Sequence, residues 1–462
     1  MDINEILIIA MFASFILLLF SGFPVAWVLG GVGTVFALLA YLSDTYLDTL
    51  IGIDFTSVGL VVDRTYKIMD NWILVALPMF IFMGNLLDKS GVAENLMKSF
   101  QALFGRVRGG LAITVVLIGI ILAASTGIVG ASVVLLGVMS LPAMLSQGYD
   151  KTVTVGTIAS AGTLGILIPP SIMLVIMADQ LALSVGDLFM GAVMPGLLLG
   201  VLYIVYILGW GLFKPSSMPL DDNIQPVTAK VWIDVFKAVA PTLAMILAVL
   251  GSIFAGIATP TEASAVGAAA AMGLAWQNKR LNIKVVRECL HDTLNVSGYI
   301  FAIFIGATMF ALVLRELGGD EYIESLLTAL PFGPYGIILF ILGIVFLLGF
   351  ILDWIEITLI ILPLVAPVIS ALEISINGYG VMDNPTLVWF VMLVALTLQT
   401  SFLTPPVGFS LFYLKGVCPP EVSLATIYKG VIPFILLQLT ALALLIIFPG
   451  LVNWFPAYVY GP

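Results

Sequence analysis

Apolar runs long enough to cross a bilayer recur from end to end of this 462-residue chain. A helix of about 20 residues spans the hydrocarbon core, so every continuous apolar run of about 18 or more is a candidate span. Inside hydrocarbon the chain has to satisfy its own backbone polar groups, which restricts such runs to helices or closed barrels. The runs here are continuous rather than alternating, which speaks against a barrel. Only 10% of the residues are charged and 61% are hydrophobic, whereas soluble domains carry about 25% charged residues. The sequence therefore predicts an all-α polytopic membrane protein whose immediate partner is the lipid bilayer. It excludes a soluble enzyme, a nucleic-acid binder (no nucleic acid is expected as a partner) and a disordered chain.

Ten spans are expected, at 6–21, 24–42, 72–88, 152–178, 188–212, 238–256, 260–277, 293–314, 386–414 and 430–450. Two further apolar stretches, 110–147 and 335–370, are too long for one simple span. Lys and Arg are retained on the cytoplasmic side of helical membrane proteins. With 89–108 placed inside, 14 basic residues fall inside and three (Arg64, Lys67 and Arg315) outside. That split survives only if both long stretches enter and leave on the same side. They are therefore expected to be re-entrant hairpins, the first opening to the cytoplasm and the second outward, with both chain termini outside. Of the 27 acidic residues, 15 fall in outer segments, giving an acidic outer face that a soluble partner could use. The first apolar run follows Asp2 and Glu5 and lacks a basic n-region, so it reads as a membrane helix rather than a cleaved signal.

The order of elements repeats. Pro24 and Pro260, each opening a small-residue helix, lie 236 residues apart, as do Pro169 in GTLGILIPPS and Pro405 in QTSFLTPPVG. Each half has five spans and one hairpin, and an odd number of spans inverts the second half. An inverted-topology repeat is the architecture of secondary transporters. The expected organisation is a first repeat over 1–212, a polar, Pro-rich cytoplasmic linker over 213–237, and a second repeat over 238–462.

Four places break the apolar helices: ILAASTGIVGASVV and GFILDWIEITLI midway through the hairpins, and ASAGTLGILIPPSI and LTLQTSFLTPPVGFSL in the spans that follow them. Proline removes backbone donors, so carbonyls one turn earlier, around Gly162 to Gly165 and Thr400 to Ser401, lose helical partners. Carbonyl and hydroxyl oxygens, including those of Thr126 and Thr404, suit a hard cation such as sodium. Helix N-termini at the same breaks suit an anionic carboxylate. Ser125, Ser160, Thr163 and Thr400 supply hydroxyls for the transported solute or for gating. Among charged residues at membrane depth, which are functional by default, Asp353 and Glu356 share a helix face at the second hairpin's tip. They are assigned to a cation site or gate. Glu262, after Pro260, reads as a first-turn residue steadying a helix N-terminus. His291 lies in a charged connector, and with Cys289 and Cys418 so far apart in sequence there is no zinc or haem constellation.

Over essentially its whole length the chain resembles the large membrane subunit of the tripartite ATP-independent periplasmic (TRAP) transporters. LPMFIFMG (77–84), GTLGILIPPSIML (162–174), GIATPTEASAVGA (256–268) and TPPVGFSLF (404–412) carry the resemblance. It implies an elevator-type secondary transporter in the bacterial inner membrane, coupled to sodium ions, with periplasmic termini. Its implied partners are a small four-helix membrane subunit and a periplasmic solute-binding protein that delivers a small organic anion. Carried over motif by motif, the sodium sites would use Thr126, Gly127, Gly165, Ile168 and Pro170 in the first half. Gly349, Ser401, Thr404 and Val407 would serve in the second. The TGIVGA and LDWIEI forms depart from the SGSS and LDPTA forms of dicarboxylate and sialic-acid members, and Ile128 and Val129 stand where those carry hydroxyls, so backbone has to serve there. Two rivals remain: a self-sufficient carboxylate symporter, and a membrane hydrolase using the Asp353 and Glu356 pair. The hydrolase lacks a nucleophile–His constellation, so the chain reads as a transporter and not an enzyme.

The topology has a direct test. Cysteine labels at 89–108 and at 278–292 are expected to react with an impermeant reagent only from the cytoplasmic side, and periplasmic labelling of either segment overturns the inverted repeat.

Overall fold

The structure is a computed structural model that describes residues 2–49, 51–126, 129–220 and 227–461; for Phe55 and residues 123–126 it describes the backbone alone. Among the described residues every regular element is helical, and nine helices are long and apolar enough to cross a membrane. Each expected span is met by a helix or a broken pair of helices. The structure adds short amphipathic helices at Phe55–Met69, Val92–Phe104 and Gly319–Thr328, and a last helix at Gly450–Tyr460. Many large apolar side chains stay exposed on the span surfaces, among them Leu17, Leu212, Leu247 and Leu436. Contiguous apolar surface of this extent suits acyl chains rather than water.

The chain forms two compact units, and each draws on both sequence halves. One comprises 1–74 and 294–374, the other 75–293 and 375–462. The first unit contains Ile3–Leu19, Val25–Leu47 and the part of Ile283–Glu316 from residue 294. Phe12 and Phe15 pack their rings on Phe310, at 5.7 and 5.3 Å between centroids. Small residues bring backbones together here: a Cβ on Gly306 would sit 2.3 Å from the Ala26 carbonyl oxygen, and one on Gly33 would sit 2.8 Å from the Met309 side chain. The helix Phe55–Met69 starts at Asp54, whose carboxylate accepts the Ser57 N–H at 2.7 Å and its hydroxyl at 3.1 Å. Those two bonds, the backbone one first, hold the Asp54 carboxyl below the usual carboxylate range. The stretch 335–370 folds as Pro334–Leu348 followed by a second helical run, Trp354–Ala371. A π-turn, Ile357–Ile361, lies within that second run.

In the second unit, the stretch 110–147 forms the helices Gly110–Thr126 and Val129–Ser146, which pack on each other. Both also pack on the first broken helix, Lys151–Thr163 with Ile172–Gln180. Gly119 meets Ala161, and Gly162 meets Val133. In the second broken helix, Pro385–Leu403 with Phe409–Val417, the first segment is 89% buried against 33% for Ala229–Phe254, so that segment is an internal element rather than a lipid-facing one. The helix Pro260–Gln277 opens with a reciprocal capping box between Thr259 and Glu262, the structural role expected for Glu262.

The tightest crossing joins Lys151–Thr163 to Leu424–Ile447. A Cβ on Gly156 would lie 2.1 Å from the Gly430 carbonyl oxygen, and one on Gly430 would lie 2.3 Å from the Thr152 carbonyl oxygen. Backbone cannot swing aside as a side chain can, and small residues at a crossing are what let membrane helices approach this closely. Gly156→Val is therefore expected to cost about 3 kcal/mol or more through overpacking and to abolish a monodisperse peak in detergent. Gly251→Ala and Gly273→Ala, whose added Cβ meets nothing within 4 Å, should leave the melting temperature unchanged or slightly raised.

Candidate functional site

The two proline pairs shape their surroundings in the same way. In the first, Lys151–Thr163 runs into a 3₁₀ turn, Leu164–Ile166, and the chain leaves helical geometry until Ile172. In the second, Pro385–Leu403 ends at Thr404 and helix resumes at Phe409. The Pro169–Pro170 and Pro405–Pro406 bonds are both cis. Gly408 closes the second break in left-handed backbone (φ +43°), a conformation that glycine adopts without a Cβ clash.

The breaks leave a defined set of acceptors. In the first, Leu164 O takes the N–H groups of Leu167 and Ile168, at 3.1 and 3.0 Å, and Ile166 O takes the Ser171 hydroxyl at 2.7 Å. No hydrogen bond among the described residues reaches the carbonyls of Ile168 and Pro170. Gly165 lies inside the 3₁₀ turn. In the second, the freed carbonyls fall later than the sequence places them. The helix continues through Leu403 because the Thr404 N–H closes on Ser401 O at 3.0 Å and the Thr404 hydroxyl on Thr400 O at 2.7 Å. Thr400 and Ser401 are thus helical and buried. Among the described residues no donor reaches the carbonyls of Leu403, Thr404, Pro405 and Val407, while Pro406 O accepts from the Tyr428 hydroxyl at 2.9 Å. Thr404 is half-buried, and its hydroxyl oxygen keeps lone pairs for a cation.

In the first unit, Gly349 ends Pro334–Leu348, and no hydrogen bond reaches its carbonyl among the described residues. Asp353 caps the next helical run, its carboxylate accepting the Trp354 N–H at 2.8 Å. Glu356 is 1% exposed, and neither of its carboxylate oxygens has a hydrogen-bond partner among the described residues. It stands at the entry to the π-turn Ile357–Ile361, a distortion frequent at functional sites. Gly127 lies outside the described residues, and of Ser125 and Thr126 only helical backbone is described.

Ser160, Thr163, Gly165, Ile168, Pro170, Thr400, Ser401, Thr404 and Val407 all belong to the second unit, and Gly349, Asp353 and Glu356 to the first. Within the second unit the two broken helices touch. Gln399 Nε2 donates to Thr163 Oγ1 at 3.3 Å, and Thr163 Oγ1 donates to Ser160 O at 2.9 Å. Ser160 Oγ and Gln399 Oε1 are fully buried without partners among the described residues. Gln399, Ser171 and Ser410 escaped the sequence reading. Gln399 had a legible signal, being an amide in the apolar run VMLVALTLQTSF at the repeat distance from Thr163. Ser171 and Ser410 had none, because a serine beside a break does not announce which carbonyl it serves.

Ser410 Oγ donates to Phe402 O at 2.6 Å, and Phe402 lies 236 residues after Ile166, the carbonyl that Ser171 serves. Both serines are fully buried. Ser171→Ala and Ser410→Ala are each expected to leave one buried carbonyl unsatisfied and to cost about 1–3 kcal/mol, read as a lowered melting temperature in detergent.

The chain matches the family model described as "Tripartite ATP-independent periplasmic transporter, DctM component" over residues 12–451. It is 31% identical over 419 residues to the C4-dicarboxylate TRAP transporter large permease protein DctM of Vibrio cholerae, covering 85% of this chain and 87% of that one. It is 26% identical over 449 residues to the isethionate TRAP transporter permease protein DctMQ of Oleidesulfovibrio alaskensis, covering 96% of this chain and 66% of the longer relative. Among solved structures, the YdaH transporter of Alcanivorax borkumensis, described as having an unusual topology, superposes with a TM-score of 0.51 at 12% identity, covering 83% of this chain and 89% of that one. This last likeness is one of fold.

Proposed function

The chain belongs to the family of the DctM component of tripartite ATP-independent periplasmic transporters, and on that premise we propose that it imports a small organic anion, driven by a sodium gradient. The observation that carries this reading is the pair of proline breaks. Each leaves carbonyl oxygens without donors, at Ile168 and Pro170 in one and at Thr404 and Val407 in the other. Unsatisfied backbone at membrane depth is costly, and it persists where it lines a cavity or binds a ligand. A sodium ion coordinated by several neutral oxygens supplies the missing partner. Thr126 and Gly127 at the first helix pair would complete the first ion site. Gly349 is the proposed ion ligand of the second helix pair, and Asp353 and Glu356 its proposed gating residues.

Members of this family are named as tripartite, and the isethionate relative is named DctMQ and is longer than this chain. A small membrane subunit and a periplasmic solute-binding protein are accordingly the proposed partners. The two inverted repeats, with re-entrant hairpins carrying the solute site across the membrane by an elevator motion, are the proposed mechanical basis. The bacterial inner membrane is the proposed location. The substrate class is a small organic anion, a carboxylate above all, captured outside before it reaches the helix N-termini at the breaks.

Thr404→Ala tests the ion site. Its hydroxyl is the side-chain oxygen at this break, and losing one neutral ligand is expected to weaken sodium binding by about 1–3 kcal/mol, or about 5- to 150-fold. In vesicles containing the complete complex, the variant should express normally and need correspondingly more sodium for half-maximal uptake. Wild-type sodium dependence in the variant removes Thr404 from the site. Wild-type uptake that persists with choline in place of sodium and only a proton gradient present removes sodium coupling altogether.

A further inference from the structure

The bond between Gln399 and Thr163 joins the two broken helices at residues 236 apart, the repeat distance that also separates the two proline pairs. Each partner sits at the same place in its own break. Thr163 is two residues before Gly165 and five before Ile168, and Gln399 is two before Ser401 and five before Thr404. A second polar contact repeats the pattern at nearly the same spacing. Gln438 in Leu424–Ile447 donates to the Tyr203 hydroxyl in Val185–Phe213 at 2.9 Å, across 235 residues, and both residues are fully buried. When repeat-equivalent residues meet each other, the pseudo-two-fold axis of the proposed repeats would pass between them; Gln399 and Thr163 meet that condition, and Gln438 and Tyr203 fall one residue short of it.

The network at Gln399 differs from a structural staple in being open. Its Nε2 serves Thr163 and through it the Ser160 carbonyl, but Gln399 Oε1 and Ser160 Oγ remain unpartnered with no exposed surface. Buried polar atoms are nearly always satisfied, and an exception asks for a role. A second arrangement, in which Gln399 Oε1 or Ser160 Oγ gains a partner, is what coupling through this network requires, and the low dielectric around it makes each such bond energetically consequential.

We infer that the Gln399–Thr163 hydrogen bond couples the two proposed ion sites, so that an ion settling at one break shifts the helix carrying the other and raises its affinity. Gln399 is then a positioning residue, touching neither ion itself. This inference rests on the sodium-coupled reading above. Energetic coupling between sites has to travel through an element with two arrangements that both sites bias. A hydrogen-bonded amide directly on the axis meets that requirement symmetrically.

The test measures ion-dependent thermal stabilisation of the purified chain and sodium-dependent uptake by the complete complex in vesicles, for the wild type, Thr163→Ser, Thr163→Val and Gln399→Met. The wild type and Thr163→Ser, which keeps the hydroxyl, are expected to show a sodium Hill coefficient above 1. Thr163→Val and Gln399→Met are expected to bring it to 1 with half-saturation shifted upward. Absence of any sodium effect in the wild type defeats the sodium reading itself. A sodium-dependent wild type with a Hill coefficient of 1 overturns the inference alone. So does a Thr163→Val that keeps the wild-type coefficient, or a Thr163→Ser that loses it. Should Gln399→Met fail to fold, the near-isosteric Thr163→Val and Thr163→Ser pair decides.

Discussion

Everything particular about this protein depends on a rule about hydrogen bonds rather than about apolar surface. In hydrocarbon a backbone carbonyl or amide without a partner carries a penalty of several kcal/mol, so an uninterrupted helix is the default. Each departure from it has to be repaired or used. The chain departs at its two proline pairs, and both responses are visible there. Ile166 and Phe402 are repaired by the hydroxyls of Ser171 and Ser410. Ile168, Pro170, Thr404 and Val407 are left open. A purely structural kink would gain by closing every acceptor, so the bare carbonyls beside the repaired ones are what the proposed ion site rests on.

The same rule explains where the charges sit. Carboxylates inside the apolar helices are few, and Glu356, almost wholly enclosed with neither oxygen partnered, occupies the entry to a π-turn. Asp353, three residues earlier, spends one oxygen on capping the helix. Two carboxylates on one helix face thus carry different loads. One is tied to backbone, and the other stays uncommitted.

Span positions were legible in the sequence because a run of apolar residues has one consequence in a bilayer, and helices such as Val185–Phe213 and Leu424–Ile447 lie where hydropathy puts them. The breaks were legible for a similar reason, since proline removes a donor wherever it stands. What stayed hidden was the rearrangement of acceptors around each proline. Thr404 closes its own turn through its N–H and its hydroxyl, extending the helix past Thr400 and Ser401. The amphipathic helix Phe55–Met69 is absent from the expected spans, because its charges, Asp63, Arg64 and Lys67, interrupt the apolar positions between them. Contacts between distant segments, such as Gly156 on Gly430, leave no mark in a single sequence beyond the glycines themselves.

The two breaks also indicate what has been retained between the sequence halves. Ile166 and Phe402 stand at the same repeat distance as the prolines. The hydroxyls that serve their carbonyls come from different places, Ser171 five residues on and Ser410 eight residues on. Position 407, the counterpart of Ser171, holds a valine. Equivalent carbonyls are therefore satisfied by non-equivalent side chains, and the carbonyls of Ile168 and Thr404, also 236 residues apart, both stay open among the described residues. Beyond them the breaks differ, Pro406 O being closed by Tyr428 where Pro170 O is open, and Ser171 O by Val175 where Val407 O is open. What the two breaks share is a closed carbonyl followed two residues later by an open one, an arrangement that does not depend on which serine closes the first.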